Sequence, residues 1–164
     1  MSTPAIVVGS GRSVWADLRA INQPDLPVFA VNEMIQFSPR ADHAVSHHAS
    51  KLPHWLALRP GPTDHIKTHT HGRRGTQPGV QGWREMPTGG SSSLLAVRVA
   101  MALGFAPILV AGVPLDGQGY VWGDPATPPA TDHAQYRHAW EQARDLKGSV
   151  FSPSGFLRDL LGAG

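Results

Sequence analysis

The chain contains no cysteine, which excludes disulfides and thiolate metal sites and leaves either redox compartment open to it. It has no apolar stretch approaching the roughly 18 residues of a membrane-spanning helix, and no basic start leading through an apolar run to a small-residue cleavage site. A soluble, cytoplasmic protein without a membrane span is therefore the expectation. Charge is also scarce: only 16% of residues are charged, with a formal net charge of +2. That is not the profile of a dedicated nucleic-acid binder. At 164 residues the chain has no room for a second full domain, but it is long enough to bury one core. No internal repeat is present.

What is there alternates between two patterns. Ala5-Ile6-Val7-Val8 is a short apolar run that stops at Gly9-Ser10-Gly11 and gives way to a helical spacing through Val14, Leu18 and Ile21, which predicts strand, tight turn and helix. Pro24 and Pro27 end that helix, and Val28 to Val31 predicts a second buried strand ending at Asn32. Short strands are expected near His43–Ser46 and Ile66–His69, with one or two helical turns at Pro53–Leu58 between them. Gly72 to Pro87 has no steady period and reads as irregular structure. Leu94 to Leu103 is apolar on most sides, so it must be a buried helix, and Gly104 stops it. Pro107 to Ala111 predicts a core strand ending at Gly112. After a Gly- and Pro-rich loop, Thr131 or Asp132 is placed to cap a helix carrying Ala134, His138, Ala139 and Ala143. A last strand near Ser149–Pro153 and a short helix to Leu161 complete the pattern.

Strands alternating with helices predict an α/β fold: a Rossmann-like, open, mainly parallel sheet with helices on both faces. Residues 1–164 then form a single nucleotide-binding-type domain with a short lid-like loop at 113–132. Ligands of such sheets bind beyond the carboxyl ends of the strands, where Gly9 to Ser13, Asn32, Ser46 and Gly112 fall.

Two turns have the composition of an anion site. Gly9-Ser10-Gly11-Arg12-Ser13 lets backbone N–H groups and a helix N-terminus approach a phosphate, although it lacks the third glycine of a dinucleotide fingerprint and the ending of a Walker A loop. A tight turn capped by Ser10 or Ser13 is the alternative. Thr88-Gly89-Gly90-Ser91-Ser92-Ser93 opens the buried helix with small residues, hydroxyls and free N–H groups, and a plain helix cap is its alternative.

Nine histidines invite a metal, but the spacing argues against one. His65 and His69 on a strand would share a face about 13 Å apart, and no Asp or Glu completes a set around His69 and His71. His133 differs, because it follows the Gly/Pro-rich loop at the start of a helix, where an imidazole can face the crevice and accept a proton near neutral pH. A surface or capping histidine is the other reading of it. Ser92 or Ser93 with a histidine and Asp116 do not make a hydrolase signature, since no G-x-S-x-G elbow is present. Arg59, Lys67, Arg73, Arg74 and Arg84 cluster in one stretch as a solvated face or an anion-attracting rim. Trp55, Trp83 and Trp122, in expected loops, offer an acceptor platform or an interface.

Several of these segments resemble one family, the bacterial sialyltransferases that act on lipooligosaccharide. Ile6-Val7-Val8-Gly9-Ser10-Gly11-Arg12-Ser13 is similar to its opening strand and Gly-x-Gly-Pro-Ser turn, and Val28 to Asn32 to its second strand, whose terminal Asn contacts the nucleotide. Thr88-Gly89-Gly90 running through Leu103-Gly104-Phe105 to Ile108–Val113 resembles its Thr-Ser-Gly helix and Gly-Ile-Asp strand end. Ser152-Pro153-Ser154-Gly155-Phe156-Leu157 resembles its closing segment. Arg12, Gly89 and Pro114 depart from the Pro, Ser and Asp of those motifs, and the 113–132 loop is shorter than the family's lid.

The resemblance implies a metal-independent glycosyltransferase needing no cofactor, with a CMP-sugar as donor and a glycan hydroxyl as acceptor. It implies catalytic roles for His133 as general base and Tyr120 as the residue supporting the leaving phosphate. Gly9, Ser10, Gly11, Ser13, Asn32, Thr88, Gly89, Gly90 and Ser91 would bind the nucleotide. A non-catalytic nucleotide-binding or structural module on the same fold, of bacterial or phage type, is the alternative, and a homo-oligomer fits either. Pyrophosphoryl transfer, a third reading, would require magnesium and more acidic residues near the crevice than can be placed.

Overall fold

Ala5–Val8 (β1) is apolar at all four positions because both of its faces are covered; every residue of the strand is buried. The computed structural model, which describes residues 1–75, 77–123 and 133–164, places β1 between Val28–Val31 (β2) and Ile108–Ala111 (β6), with Ile6 opposite Val28 and Val7 opposite Val110. Beyond β2 the sheet continues through His43–Val45 (β3), Lys67–His71 (β4) and Gly82–Arg84 (β5), and beyond β6 it ends at Val150–Phe151 (β7). The order is β5-β4-β3-β2-β1-β6-β7 and every pair is parallel, an α/β Rossmann-like arrangement.

Alternation along the strands sends side chains to the two faces of the sheet. Ala5, Val7, Phe29, Val45 and Val110 meet Ser92–Ala102 (α4), which buries residues on nearly all sides, together with Trp140 of Ala134–Gln142 (α5) and Leu157 and Leu161 of Gly155–Leu161 (α6). On the opposite face Ile6, Val8 and Val28 pack with Val14 and Leu18 of Val14–Ile21 (α1) and Met34 of Met34–Phe37 (α2). Ala30 and Ala44 pack there with Leu52 and Trp55 of Leu52–Leu58 (α3). No helix among the described residues is long and apolar enough to cross a membrane.

Three features differ from the sequence-based expectation. β5 lies inside the stretch read as irregular, because a three-residue edge strand has too few positions to show a period. Its place is set by β4, where a Cβ on Gly82 would sit 2.7 Å from His69 Nδ1. The short α2 carries no pattern of its own either. Trp55, offered as part of an acceptor platform or interface, is buried in α3, at the helical turns expected over Pro53–Leu58, and cannot serve a ligand, and Trp83 belongs to β5.

The chain runs outward from β1 to β5 and then returns to lay β6 on the other side of β1, so the topological switch lies between β1 and β6. One buried carboxylate ties that seam together. Asp17 Oδ2 accepts from Ser13 Oγ at 2.8 Å, from Ser154 Oγ at 2.9 Å and from the Gly112 amide at 2.9 Å. Asp17→Ala should lower the unfolding free energy by about 3 kcal/mol, since it strips a buried amide and two hydroxyls of a charged acceptor, and Ser154→Ala by about 1 kcal/mol. Urea titration monitored by circular dichroism measures both, and a loss below about 1 kcal/mol for Asp17→Ala would mean that water replaces the carboxylate.

Candidate functional site

At the carboxyl ends of β1 and β6 the backbone opens a crevice of about 130 Å³, the position at which parallel sheets of this kind hold ligands. Gly9-Ser10-Gly11 and Gly112 to Asp116 form its floor, and Asn32 and His48 enter from the ends of β2 and β3. Ser91 to Ser93 reach it from the start of α4, and Tyr120, His133 and Tyr136 close the opposite side. Of the residues singled out in the sequence, Gly9, Ser10, Gly11, Asn32, Gly90, Ser91, Tyr120 and His133 line this one space. Ser13, Thr88 and Gly89 stand behind it.

The first turn works differently from a simple phosphate cradle. The Gly9 amide donates to Ala111 O at 2.8 Å and the Gly11 amide to Gly112 O at 2.7 Å, so both knit β1 to β6. Their missing side chains are what allow this approach: a Cβ on Gly9 would lie 2.6 Å from Val113 Cγ2, and one on Gly11 would strike the Pro114 ring. A valine at 11 would therefore force the seam apart, not merely shield a ligand. Ser13, held by Asp17, faces away from the crevice.

At the second turn Gly89 and Gly90 take φ of +54° and +82°, a left-handed pair suited to glycine. A Cβ on Gly89 would lie 2.6 Å from Ala139 Cβ, so this glycine seats α5 against α4. Ser91 Oγ accepts from the Leu94 amide at 3.2 Å and caps α4. The amides of Ser92 and Ser93, in the first turn of that helix, are the groups such a terminus offers to an anion. Asn32 has φ of +53°, and its Oδ1 accepts from Ser46 Oγ at 2.6 Å, which leaves its amide NH2 to donate to a ligand.

Tyr120 is brought over the first turn by an antiparallel bridge to Gly11 and a bond from the Val121 amide to Ser10 O at 2.9 Å. Arg12 latches the same loop, donating to Gln118 O and Gly123 O, each at 2.6 Å. The Tyr120 ring stands 6.4 Å from that of His133. Burial, with help from Glu33 and Tyr136, raises the Tyr120 pKa, so the phenol keeps its proton at neutral pH and acts as a donor. His133 precedes α5, and its carbonyl accepts from the Tyr136 and Arg137 amides at 3.0 Å. Thr131 and Asp132, expected to cap this helix, lie outside the described residues, as does the 124–132 part of the lid-like loop.

The histidines that spacing set against a metal form a different structure. His65 precedes β4. His69 Nε2 meets His43 Nδ1 at 3.0 Å, and the His43 ring stacks on Phe29 at 4.1 Å. His71 stacks with His47 at 4.8 Å, and His47 Nε2 pairs with Thr88 Oγ1 at 2.9 Å. Among the described residues no three His, Asp or Glu side chains converge to hold a metal ion.

Sequence reasoning passed over Asp17 and the His47–Thr88 contact. Asp17 left a trace, an acid on the apolar stripe begun by Val14. The His47–Thr88 pair, 41 residues apart, left none.

Burial pulls His69 and His47 down to about 4, with the neighbouring histidines adding to the effect, and lowers His43 as well. Between the unfolded value near 6.5 and about 4 the unfolded chain binds protons that the folded one refuses, so stability falls as pH drops through that window. The urea midpoint should decline steadily from pH 7 to 4.5, and His69→Leu should flatten the decline. A flat wild-type profile would mean that these imidazoles are charged in the folded protein.

No protein-family model matches the chain, and no curated protein sequence matches it. Its fold is similar to a solved structure, the sialyltransferase CST-II in complex with trisaccharide acceptor and CMP, with a TM-score of 0.54 and 15% sequence identity. The likeness covers 98% of this chain and 86% of that one. At this identity it shows a shared fold.

Proposed function

We propose that the crevice binds a nucleotide-sugar, a CMP-sugar first among them, and that the protein transfers the sugar to an acceptor hydroxyl without a metal. The observation that carries this reading is the meeting of Tyr120 and His133, 6.4 Å apart, across the switch-point crevice from Asn32 and the α4 start. In this reading Ser91 and the first-turn amides of α4 hold the donor phosphate, and Asn32 donates to the nucleoside. Gly9, Ser10, Gly11 and Gly90 let the ligand approach closely, while Ser13, Thr88 and Gly89 hold those turns from behind.

The acceptor oxygen attacks the anomeric carbon as His133 takes its proton. The bond from that carbon to the phosphate oxygen breaks, and the nucleotide leaves with its new charge met by the Tyr120 hydroxyl. The likeness in fold to a protein solved with CMP supports the choice of donor. A glycan acceptor is part of the same proposal.

A non-catalytic nucleotide-binding module is the second reading, and one observation favours it. Among the described residues no Lys or Arg lines the crevice, and Arg12 is engaged by loop carbonyls, so no permanently cationic side chain of the lining meets a leaving phosphate.

Calorimetry with CMP and CMP-sialic acid in EDTA should give selective, metal-independent binding. His133→Ala should keep CMP affinity within about twofold while lowering turnover by about 10²- to 10⁴-fold. Binding with no turnover on any acceptor would establish the second reading, and no binding of either nucleotide would remove both.

A further inference from the structure

Four Phe, Tyr or Trp side chains among the described residues are more than a third exposed, and three of them share one patch: Phe37, Tyr120 and Trp122, at 47%, 41% and 43%. They form a row. The Phe37 and Trp122 rings lie 5.1 Å apart, Trp122 and Tyr120 lie 5.7 Å apart and only 11° from parallel, and Tyr120 leads on to His133. Exposing so much aromatic surface in a contiguous patch is costly and marks a binding surface. The row begins outside the crevice and ends at the imidazole proposed as the base.

We infer that Trp122, Tyr120 and Phe37 form a platform for the apolar ring face of a neutral acceptor saccharide, delivering its hydroxyl to His133. This deepens the glycosyltransferase reading and rests on it. Three features favour a neutral saccharide. The ring steps are comparable to the length of one hexose unit, and flat π faces suit the C–H face of a pyranose. A carboxylate flanks the row, since Glu33 acts electrostatically on Tyr120. A carboxylate there accepts bonds from sugar hydroxyls and disfavours an anionic acceptor. Finally, Arg12 grips Gln118 O and Gly123 O on either side of the two loop rings, so the platform is held in place before a ligand arrives.

The test uses the full chain, with lactose, cellobiose and chitobiose as probes in saturation-transfer NMR and CMP in calorimetry. At least one disaccharide should receive saturation on the protons of one ring face. Trp122→Ala should weaken that binding about tenfold, Phe37→Ala about threefold, and Trp122→Phe should restore most of it. CMP affinity should stay within about twofold in all three variants. Equal saccharide binding by Trp122→Ala overturns the platform, as does a change in oligomeric state on removing Trp122, which would make the row a contact between copies. A more than tenfold loss of CMP affinity in Trp122→Ala would assign the rings to the nucleobase and likewise overturn it. CMP binding without any disaccharide would sink the platform and leave the nucleotide reading intact. A disaccharide held at Trp122 without CMP binding would do the reverse.

Discussion

Three donors from three separate stretches of chain converge on one carboxylate oxygen, Asp17 Oδ2: the hydroxyl of Ser13 ahead of α1, the amide of Gly112 at the end of β6, and the hydroxyl of Ser154 ahead of α6. The residue is only 3% exposed, so these donors take the place that water would otherwise fill around its oxygens. This constraint brings the β1 turn and the β6 end into register, and the crevice exists because they are. Gly9, Gly11 and Gly112 answer the same demand sterically. A Cβ on Gly112 would strike Gly9 O and lie 2.7 Å from Val14 Cβ, so the two strand ends approach more closely than any side chain would permit.

From that seam the chemistry of the crevice follows. Its floor is backbone drawn tight by interstrand bonds, so its donors are peripheral: the Asn32 amide, the first turn of α4 and the Tyr120 phenol. All are neutral. Such groups discriminate by geometry more than by long-range attraction, which suits a ligand whose charge is buried on binding. Arg12, standing where the resembled family has proline, turns away from the floor and fixes the loop that carries Tyr120 and Trp122. A cation in the anion-site turn thus serves to position aromatic rings.

The histidines show how residue type and residue role come apart. Nine histidines invite a metal by number, but the parallel pairing of β3 with β4 brings four of them, His43, His47, His69 and His71, side by side, His43 and His69 buried and the other two half-buried. There His43 and His69 meet through ring nitrogens, His47 reaches Thr88 Oγ1 and His71 reaches Met86 O, while His69 Nδ1 is buried without a partner. Burial penalises the charged forms of His43, His47 and His69, and His47 joins the end of β3 to Thr88, just ahead of α4.

Local chemistry sufficed to determine the α/β class, six of the seven strand positions to within a residue or two, and the two glycine turns. Each depends on runs of apolar residues or on glycines that act over a few neighbours, as in Val28 to Asn32 or Gly89-Gly90. The crevice's membership in Asn32, Ser91 and His133 was also legible, because strand ends and helix starts of a parallel sheet face one way, whereas Tyr120, in a loop, was indicated by the family resemblance alone. β5 was not, since three residues without alternation acquire their structure only from the edge of β4. Nor was the task of Gly11, which reads as an open anion turn until Pro114, 103 positions away, is packed against it. The burial of Trp55, the pairing of His47 with Thr88 and the row from Phe37 to His133 were decided by tertiary structure alone. Each depends on side chains far apart in sequence meeting across the sheet, and no local pattern encodes which distant partner a residue will face.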